Sequence, residues 1–425
     1  MEQGSNPPPD AAAAADPDRL RPPLAAAAPP SSPTGGVGCF KGSAIGGLGL
    51  ALPDEIIAEI LSRLPAKPLF RFKCVSKAWF ALTTYLIKKL PQTLQGFFYG
   101  DNSGENYGHF INLVGRSMPP VDCAFSFLTK LPEIEKINLL GSCNGLVLLR
   151  HIPYVDPNNV KALGYIVCNP AIKEWVAVPN SDWTLPPYPE ELFNAEDVLT
   201  LTYLFFDPAV SSQFKVLQFC QDFPRNVLQV NTYSSESGVW SGRVVECWTH
   251  GVIRSYMGSA FVNGMLHWSI NRCFAYPRDA IVAVDGEGEK CRIIHWPEEE
   301  RGSLVFLGQS QGLMHCMSGH MDHYNITELS IWVLDDYDAE NWILKHSVSC
   351  LQLFGQASCR VRDFQIAIHP DHNLVFFLQH WNMKLISYNL DSEELSVLWT
   401  LEHCSGFITP YIPCFVESSS LAKKS

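Results

Sequence analysis

The chain has 425 residues, of which 47% are hydrophobic, and it carries a formal net charge of −12. The length is enough for one large domain and one small domain, and the acidic balance argues against a general nucleic-acid binder. No apolar run reaches the roughly 18 residues of a membrane span, and no secretory signal precedes the 14 scattered cysteines. We therefore expect reduced, mostly buried cysteines and a location in the cytoplasm or the nucleus.

Residues 1–48 have the composition of a disordered tail. The first 50 residues contain nine of the 30 prolines, ten alanines and eight of the 29 glycines, and such a stretch cannot bury enough apolar surface to order itself. Its acidic residues also argue against an organelle transit peptide. At the other end of the chain, we expect a flexible terminus over residues 418–425.

The next segment predicts a compact helical unit with the boundaries 49–92. Pro53 followed by two acids is typical of a helix start, because proline lacks the N–H that would be unpaired there and carboxylates suit the helix dipole. Isoleucines and leucines then keep helical spacing until Pro65 ends the run. Pro68 opens a second short helix, and Ser76 is expected to cap a third.

This helical unit is basic, and it carries more apolar surface than three short helices bury among themselves. Residues 51–90 hold seven Lys or Arg and three acids, a charge of +4 in a chain of −12. A basic and apolar unit indicates an acidic protein partner with a hydrophobic groove. The alternative is a helical cap on the larger domain, and periodicity and charge alone do not separate the two.

The segment "LPDEIIAEILSRLPAKPLFRFKCVSKAWFAL" resembles an F-box over its whole length. The LP opening, the ILSRLP helix end and the K-x-L-x-R-F-K-C-V-S-K-x-W run match the pattern of that family, over about 40 residues of the chain. The resemblance implies docking onto the small acidic SKP-type adaptor of a cullin-RING ubiquitin ligase. The residues that it implies at the adaptor surface are Leu52, Pro53, Ile57, Ile60, Leu61, Leu64, Pro65, Leu69, Cys74, Val75, Ser76 and Trp79.

From residue 94 to residue 417 the pattern changes to short β-rich runs, separated by turns of Asn, Asp, Gly and Ser. Four tight turns are followed by Leu146, Met265, Leu313 and Leu374, so their spacings are 119, 48 and 61 residues. The first gap is about twice the others and leaves room for one degenerate unit, "YLFFDPAVSSQFKVLQF". A wider, polar or acidic hairpin follows each tight one.

Four strands in every 48–61 residues is the spacing of a propeller blade, near the kelch period of about 50. Five such units fit between residues 141 and 401, and strands near Gly96–Leu113 together with the terminal "YIPCFV" would complete a sixth blade. The predicted fold is therefore mainly β, with a three-helix F-box followed by a six-bladed β-propeller. A β-sandwich is the alternative, and the near-constant period favours the propeller. We assign to blade packing the recurring tryptophans Trp175, Trp240, Trp268, Trp296, Trp332 and Trp342.

The same region resembles the F-box-associated, kelch-like repeat region of the large plant F-box family. The points of similarity are "GSCNGLVLL", "CNPAIKEW", "FVNGMLHW" and "LSIWVL", in this order over about 270 residues. The resemblance implies a region that recruits a protein target, and hence a non-catalytic substrate-receptor subunit of an SCF-type ubiquitin ligase. The alternatives are an F-box scaffold that acts outside ubiquitylation and an enzyme on a propeller scaffold.

The motifs that would carry chemistry are incomplete. Residues 308–312 fit G-x-S-x-G, but the pattern after them is a strand rather than the helix of a nucleophile elbow, so we expect a hairpin turn. The acids from Asp336 to Glu340 lack the glycine and the terminal glutamate of a calcium loop. His315, His320 and His323 are expected on a solvated loop. We predict no catalytic residue, no metal site and no cofactor.

The segment "NSDWTLPPYPEELFNAEDV", residues 180–198, is the least blade-like part of the repeat region. It is too long and too rich in proline for a hairpin turn. Trp183, Tyr188 and Phe193 lie among acids in this segment, and aromatic residues surrounded by charge are typical of a binding hot spot. We predict that these three residues bind the protein target, and a solvated insertion is the alternative.

Overall fold

A computed structural model of the chain describes residues within the unit 54–425. The described residues are 54–62, 72, 75–77, 79–80, 82–83, 93–99, 109–113, 121–131, 134, 136–152, 164–181, 198–208, 210–222, 226–244, 251–271, 279–296, 301–322, 325–402, 408–415 and 420–421. The predictions of a disordered tail and a flexible C-terminus thus lie wholly or almost wholly outside them. The helices are α1 (Asp54–Ser62), α2 (Ser126–Thr129) and α3 (Cys350–Phe354), and single 3₁₀ turns occupy Ser255–Met257 and Val361–Asp363.

The strands form a series of antiparallel sheets, most of them four-stranded and in simple up-and-down order. Before the first complete sheet come β1 (Gly96–Tyr99) and β2 (His109–Asn112). Blade I contains β3 (Lys136–Cys143), β4 (Leu146–Ile152), β5 (Tyr165–Asn169) and β6 (Glu174–Val178). Blade II contains β7 (Val198–Phe206), β8 (Phe214–Asp222), β9 (Asn226–Ser234) and β10 (Val239–Val244). Blade II is the degenerate unit that the sequence spacing predicted.

Blades III to V follow the same meander with small additions. Blade III contains β11 (Val252–Ile253), β12 (Ala260–Val262), β13 (Met265–Asn271), β14 (Asp279–Asp285) and β15 (Cys291–His295). Blade IV contains β16 (Ser303–Ser310), β17 (Leu313–Gly319), β20 (Glu328–Asp336) and β21 (Asn341–Ser349). A small three-stranded sheet is built from β18 (Met321–Asp322), β19 (Asn325–Ile326) and β22 (Cys359–Arg360). Blade V contains β23 (Phe364–Ile368), β24 (Leu374–Gln379), β25 (Lys384–Asn389) and β26 (Leu395–Thr400).

The sixth blade joins the two ends of the repeat region, as predicted. Strand β1 lies between β2 and β27 (Ile408–Tyr411), with Gly96 opposite Tyr411, and β27 also contacts the first strands of blades I and V. The closing strand lies earlier in the sequence than predicted: it ends at Tyr411, the residue at which the predicted strand began. Six blades closed in this way form a β-propeller and not the alternative β-sandwich.

Three of the four tight turns have the backbone that the sequence predicts. Asn144-Gly145, Asn263-Gly264 and Gln311-Gly312 each place two consecutive residues at positive φ, which is the type I′ hairpin turn. The fourth turn, His372-Asn373, does not have this conformation. There the ring Nδ1 of His369 accepts hydrogen bonds from the backbone N–H groups of Asp371 and His372.

The core lies between the blades, since clusters of buried side chains draw residues from neighbouring sheets. One cluster joins blades IV and V through residues such as Met317 and Phe377, and another joins blades II and III around Trp268. The assignment of the tryptophans to blade packing is confirmed. Trp268, Trp296 and Trp342 are buried, and the other three are partly buried against these clusters.

Gly145 is the turn glycine whose replacement should be most harmful. A Cβ built on it would lie 2.3 Å from the backbone N and from Cβ of Cys414, whereas a Cβ on Gly264 has no atom within 4 Å. Both glycines have positive φ, so alanine pays a similar conformational cost at each, about 1–2 kcal/mol. We expect Gly145→Ala to lower the free energy of unfolding by a further ~1–3 kcal/mol, the usual range for overpacking.

Chemical denaturation of both glycine variants beside the wild-type protein measures this difference. Gly264→Ala is the matched control for the strain of the turn. Equal losses of stability in the two variants would show that the contact with Cys414 carries no cost.

Candidate adaptor-binding and target-binding surfaces

Helix α1 has two apolar stripes that face different surroundings. Ile56 and Ile60, four residues apart and therefore neighbours on one side of the helix, are both exposed, and Ile60 is 50% accessible. Ile57 is half-buried and Leu61 is buried. Among the residues predicted to contact the adaptor, Ile60 therefore has a solvent-accessible side chain that could be covered by a partner. The side chain of Leu61 is already buried within this protein.

The helical residues around Trp79 also include exposed apolar side chains. The Ser76 hydroxyl accepts a hydrogen bond from the backbone N–H of Trp79 at 3.2 Å, which confirms Ser76 as a helix cap. The Trp79 ring is partly buried, with its centroid 5.2 Å from that of Phe72. Val75 is 60% accessible, and Phe80 is also exposed.

Four exposed large apolar side chains, Ile56, Ile60, Val75 and Phe80, therefore lie on this short helical segment. We call them the exposed apolar set. Single exposed apolar residues are common, but several on one short basic segment are typical of an interaction site. The sequence prediction missed Ile56 and Phe80, because the family pattern did not include those positions. Their apolar character in a charged helical segment was the available signal.

Several predicted site residues lie outside the described residues. For the adaptor surface these are Leu52, Pro53, Leu64, Pro65, Leu69 and Cys74, and for the target surface they are Trp183, Tyr188 and Phe193. The segment that holds the last three connects β6 of blade I to β7 of blade II. Its first residues are fixed to blade II, since the Trp240 Nε1–H donates to the Pro179 carbonyl and the Ser181 hydroxyl donates to Gln218. The target-binding role of this segment stays a prediction.

The structure shows what the incomplete catalytic and metal-binding motifs form instead. Ser310 of the G-x-S-x-G sequence is buried at the end of β16, the turn 311–312 leads into β17, and so the expected hairpin is confirmed. Asp336 accepts hydrogen bonds from the backbone N–H groups of Asp338 and Ala339, as an acid does in a turn. The expected loop of three histidines is wrong for His315, which is buried in β17. His320 is exposed, and His323 lies outside the described residues.

No group of metal-ligating side chains is found among the residues that the structure describes. Six of the nine described cysteines are buried, which confirms the expectation that most are buried, and none of the nine forms a disulfide with another described cysteine. Burial raises the pKa of the Cys143 thiol to about 12 and keeps the thiol protonated at neutral pH. Within the described part of the chain, no helix is long and apolar enough to span a membrane.

Two buried histidines make the stability of the propeller dependent on pH. The Nδ1–H of His267 donates to the Ala260 carbonyl (3.2 Å), and Nε2 of the neutral ring accepts from the Tyr337 hydroxyl (2.8 Å). Burial lowers the pKa of His267 to about 4. Burial lowers the pKa of His315 to about 4 as well. The pKa of a histidine in an unfolded chain is about 6.5. Between pH 6.5 and pH 4 the unfolded chain therefore binds protons that the folded protein does not.

We expect the free energy of unfolding to fall as the pH is lowered from 7.5 to 5.0. His267→Gln should make this slope smaller, because it removes one group that takes up a proton on unfolding. His320→Gln is the control, since His320 is exposed. Urea denaturation at a series of pH values measures the slopes, and identical slopes for wild-type protein and His267→Gln would contradict the assignment.

Comparison with known proteins gives the family. The model of the F-box domain matches residues 50–90, and the model described as "F-box protein At3g26010-like, beta-propeller" matches residues 121–424. Similar proteins from Arabidopsis thaliana include F-box protein At5g49610, which is 29% identical over 71% of this chain and 80% of its own length. F-box/kelch-repeat protein At1g15680 is 24% identical over 82% of this chain and 83% of its own length. F-box protein At1g49990 is 23% identical over 80% of this chain and 85% of its own length.

The two matches cover different elements of the fold. The F-box match spans the helical segment with the exposed apolar set, and the propeller match spans blades I to V and the closing strand. The propeller model covers more than half of the chain. The protein belongs to the family of F-box proteins that carry an At3g26010-like β-propeller.

Proposed function

We propose that this protein is a substrate-receptor subunit of an SCF-type cullin-RING ubiquitin ligase. The F-box would bind the SKP-type adaptor, and through it a cullin, and the propeller would hold a protein target. The observation that carries the proposal is the coincidence of the F-box match with the exposed apolar set on a segment of charge +4. Apolar contacts would supply the affinity for an acidic adaptor, and the basic residues would speed the encounter.

A receptor of this kind needs no chemistry of its own, because the conjugating enzyme of the ligase carries out the transfer. The family relationship supports such a non-catalytic role. A scaffold that binds the adaptor outside ubiquitylation and an enzyme on a propeller are the other readings of the chain, and no feature of the described residues favours either. We propose the cytoplasm or the nucleus as the site of action.

The adaptor interface is tested by placing acids in the exposed apolar set. Ile60→Glu combined with Val75→Glu should weaken adaptor binding by about 30-fold or more, since loss of an interface hot spot costs ~2 kcal/mol or more. Both side chains are at least half exposed, so the stability of the folded protein should change little. Calorimetric titration of purified adaptor into the full chain measures the affinity.

Val210→Glu is the matched control, because Val210 is 82% exposed on a turn of blade II. It adds one acid outside the F-box sequence, where the double variant adds two acids within it, and it should leave adaptor affinity within about twofold of the wild type. Undiminished affinity in the double variant, with the control unchanged, would rule out this surface as the adaptor site.

A further inference from the structure

The outermost strands of the complete blades differ in how they protect their free edge. An outer strand presents unpaired backbone groups, and proteins usually blunt such an edge with charged side chains. Four of the five complete blades follow this rule with one charged residue in the strand, namely Glu174 in β6, Arg243 in β10, Arg292 in β15 and Lys345 in β21. The outer strand of blade V, β26, has the sequence LSVLWT and carries no charge.

The side chains of β26 are also unusually exposed for apolar residues. Leu395 and Val397 lie opposite Tyr388 and Ile386 and so share one face of the sheet, whereas Trp399 follows a β-bulge and lies opposite Leu385. All three apolar side chains are accessible, with Val397 at 57% and Trp399 at 51%. Within the described part of the chain, β26 pairs with β25 and with no other strand. The edge of blade V thus combines a free strand edge with exposed apolar side chains, of which Leu395 and Val397 share one face, and these are the two elements of β-strand addition by a partner.

The ends of this edge are acidic. Asp391, Glu393 and Glu394 form the turn before β26, and Glu402 follows the strand. Asp391 is held by Asn373, but neither Glu393 nor Glu394 forms an ion pair with a described lysine or arginine. Both side chains are exposed, so a partner can approach their charges. A strand that pairs with β26 would end beside these acids at both of its termini.

The same charges argue against a second copy of this chain as the occupant. In antiparallel self-pairing centred on β26, the acidic turn of one copy would lie beside Glu402 of the other. In parallel self-pairing, the two acidic turns would lie side by side. Like charges placed opposite each other across a strand pair are unfavourable. The edge is better suited to a strand with basic ends.

We propose that the edge of β26 binds an extended segment of another protein by strand addition, and that this segment has alternating apolar residues flanked by Lys or Arg. The middle of the segment would lack proline, because proline cannot donate to the new ladder. This surface is separate from the F-box and from the segment 180–198. It goes beyond the proposed function, since it holds whether or not the bound protein is ubiquitylated.

The test begins with a phage-displayed library of random twelve-residue peptides, selected on the full-length protein. Peptides that depend on β26 should carry apolar residues at alternate positions, basic residues toward the ends and no central proline. Val397→Lys should weaken their binding at least tenfold. Val239→Lys, an equally exposed valine on the outer strand of blade II, should change it less than twofold.

Two further measurements identify strand addition and its charge dependence. Hydrogen exchange of the full chain with a selected peptide should slow at the amides of residues 395–400, because new backbone hydrogen bonds protect them. Glu393→Gln with Glu394→Gln should weaken binding and reduce its sensitivity to salt.

Three results would overturn the proposal. The first is a selection in which no peptide depends on Val397, and the second is exchange protection confined to other strands. The third is self-association of the wild-type chain that Val397→Lys abolishes, which would make a second copy the occupant. None of these results bears on adaptor binding, so the proposal can fail while the F-box function stands.

Discussion

Removal of residues 408–425 should prevent the propeller from folding. This deletion takes away β27, the strand that pairs with β1 and joins the two ends of the ring. It also removes Tyr411, Cys414 and Leu421, which are buried in the clusters that involve blade I. The Cys414 carbonyl accepts a hydrogen bond at 2.7 Å from the Asn169 side chain, which would lose its partner.

The expected loss of stability can be compared with the net free energy of unfolding of a typical domain. Each fully buried large apolar side chain contributes about 1.5–3 kcal/mol, and the net stability of a domain is about 5–15 kcal/mol. Loss of a whole strand together with these side chains is therefore comparable to the entire stability. Circular dichroism and analytical gel filtration of the truncated chain measure the effect.

Deletion of residues 422–425 alone is the matched control, since it keeps Leu421, which is buried. That shorter deletion should leave the melting temperature close to the wild-type value. A cooperative thermal transition in the chain that lacks 408–425, near the wild-type temperature, would show that the ring does not need its closing strand.

Trp268→Ala should be the most damaging single substitution in the interior. Trp268 is fully buried between blades II and III, with ring centroids 4.7 Å from Phe219 and 4.8 Å from Tyr203. Truncation of a buried tryptophan leaves a cavity and typically costs about 3–5 kcal/mol. The expected result is a large fall in the free energy of unfolding, measured by urea denaturation.

Two other variants separate the causes. Trp268→Phe keeps an aromatic ring and removes the indole Nε1–H, which is buried without a hydrogen-bond partner among the described residues, so its cost should be smaller. Trp399→Ala removes an exposed tryptophan from β26 and should cost less than about 1 kcal/mol. Equal effects of Trp268→Ala and Trp399→Ala would contradict the assignment of Trp268 to the core.

The parts of the fold that could be predicted from sequence are those with a local cause. Glycine adopts positive φ at little cost, and asparagine more readily than most residues, so the glycine-containing tight turns and their spacing indicated the number of blades. The closing strand was predicted too late in the chain. The actual strand contains Pro410, and a proline in a sequence argues against a strand at that position. The two-residue strands β18, β19 and β22 have no periodicity to detect.

The candidate adaptor surface shows a different limit. The pattern of the F-box indicated which residues belong to the helical unit, but it did not tell Leu61, which is buried, from Ile60, which is exposed. The two residues are adjacent and of similar hydrophobicity, and only the packing of the rest of the protein decides which one is covered. His315 was predicted on a loop with His320 and His323, although its neighbours Met314 and Cys316 are apolar, and the structure buries it in β17.

As a ligase receptor, this chain would link a cullin-bound adaptor to a protein target. The most direct measurement is affinity purification of the full-length protein from plant cells, with quantitative detection of the SKP-type adaptor and the cullin. We expect both to be recovered with the wild-type chain and with Val210→Glu, and both to be lost when Ile60→Glu and Val75→Glu are combined. Recovery of neither protein with the wild-type chain, or of the adaptor without the cullin, would contradict a role as a ligase receptor.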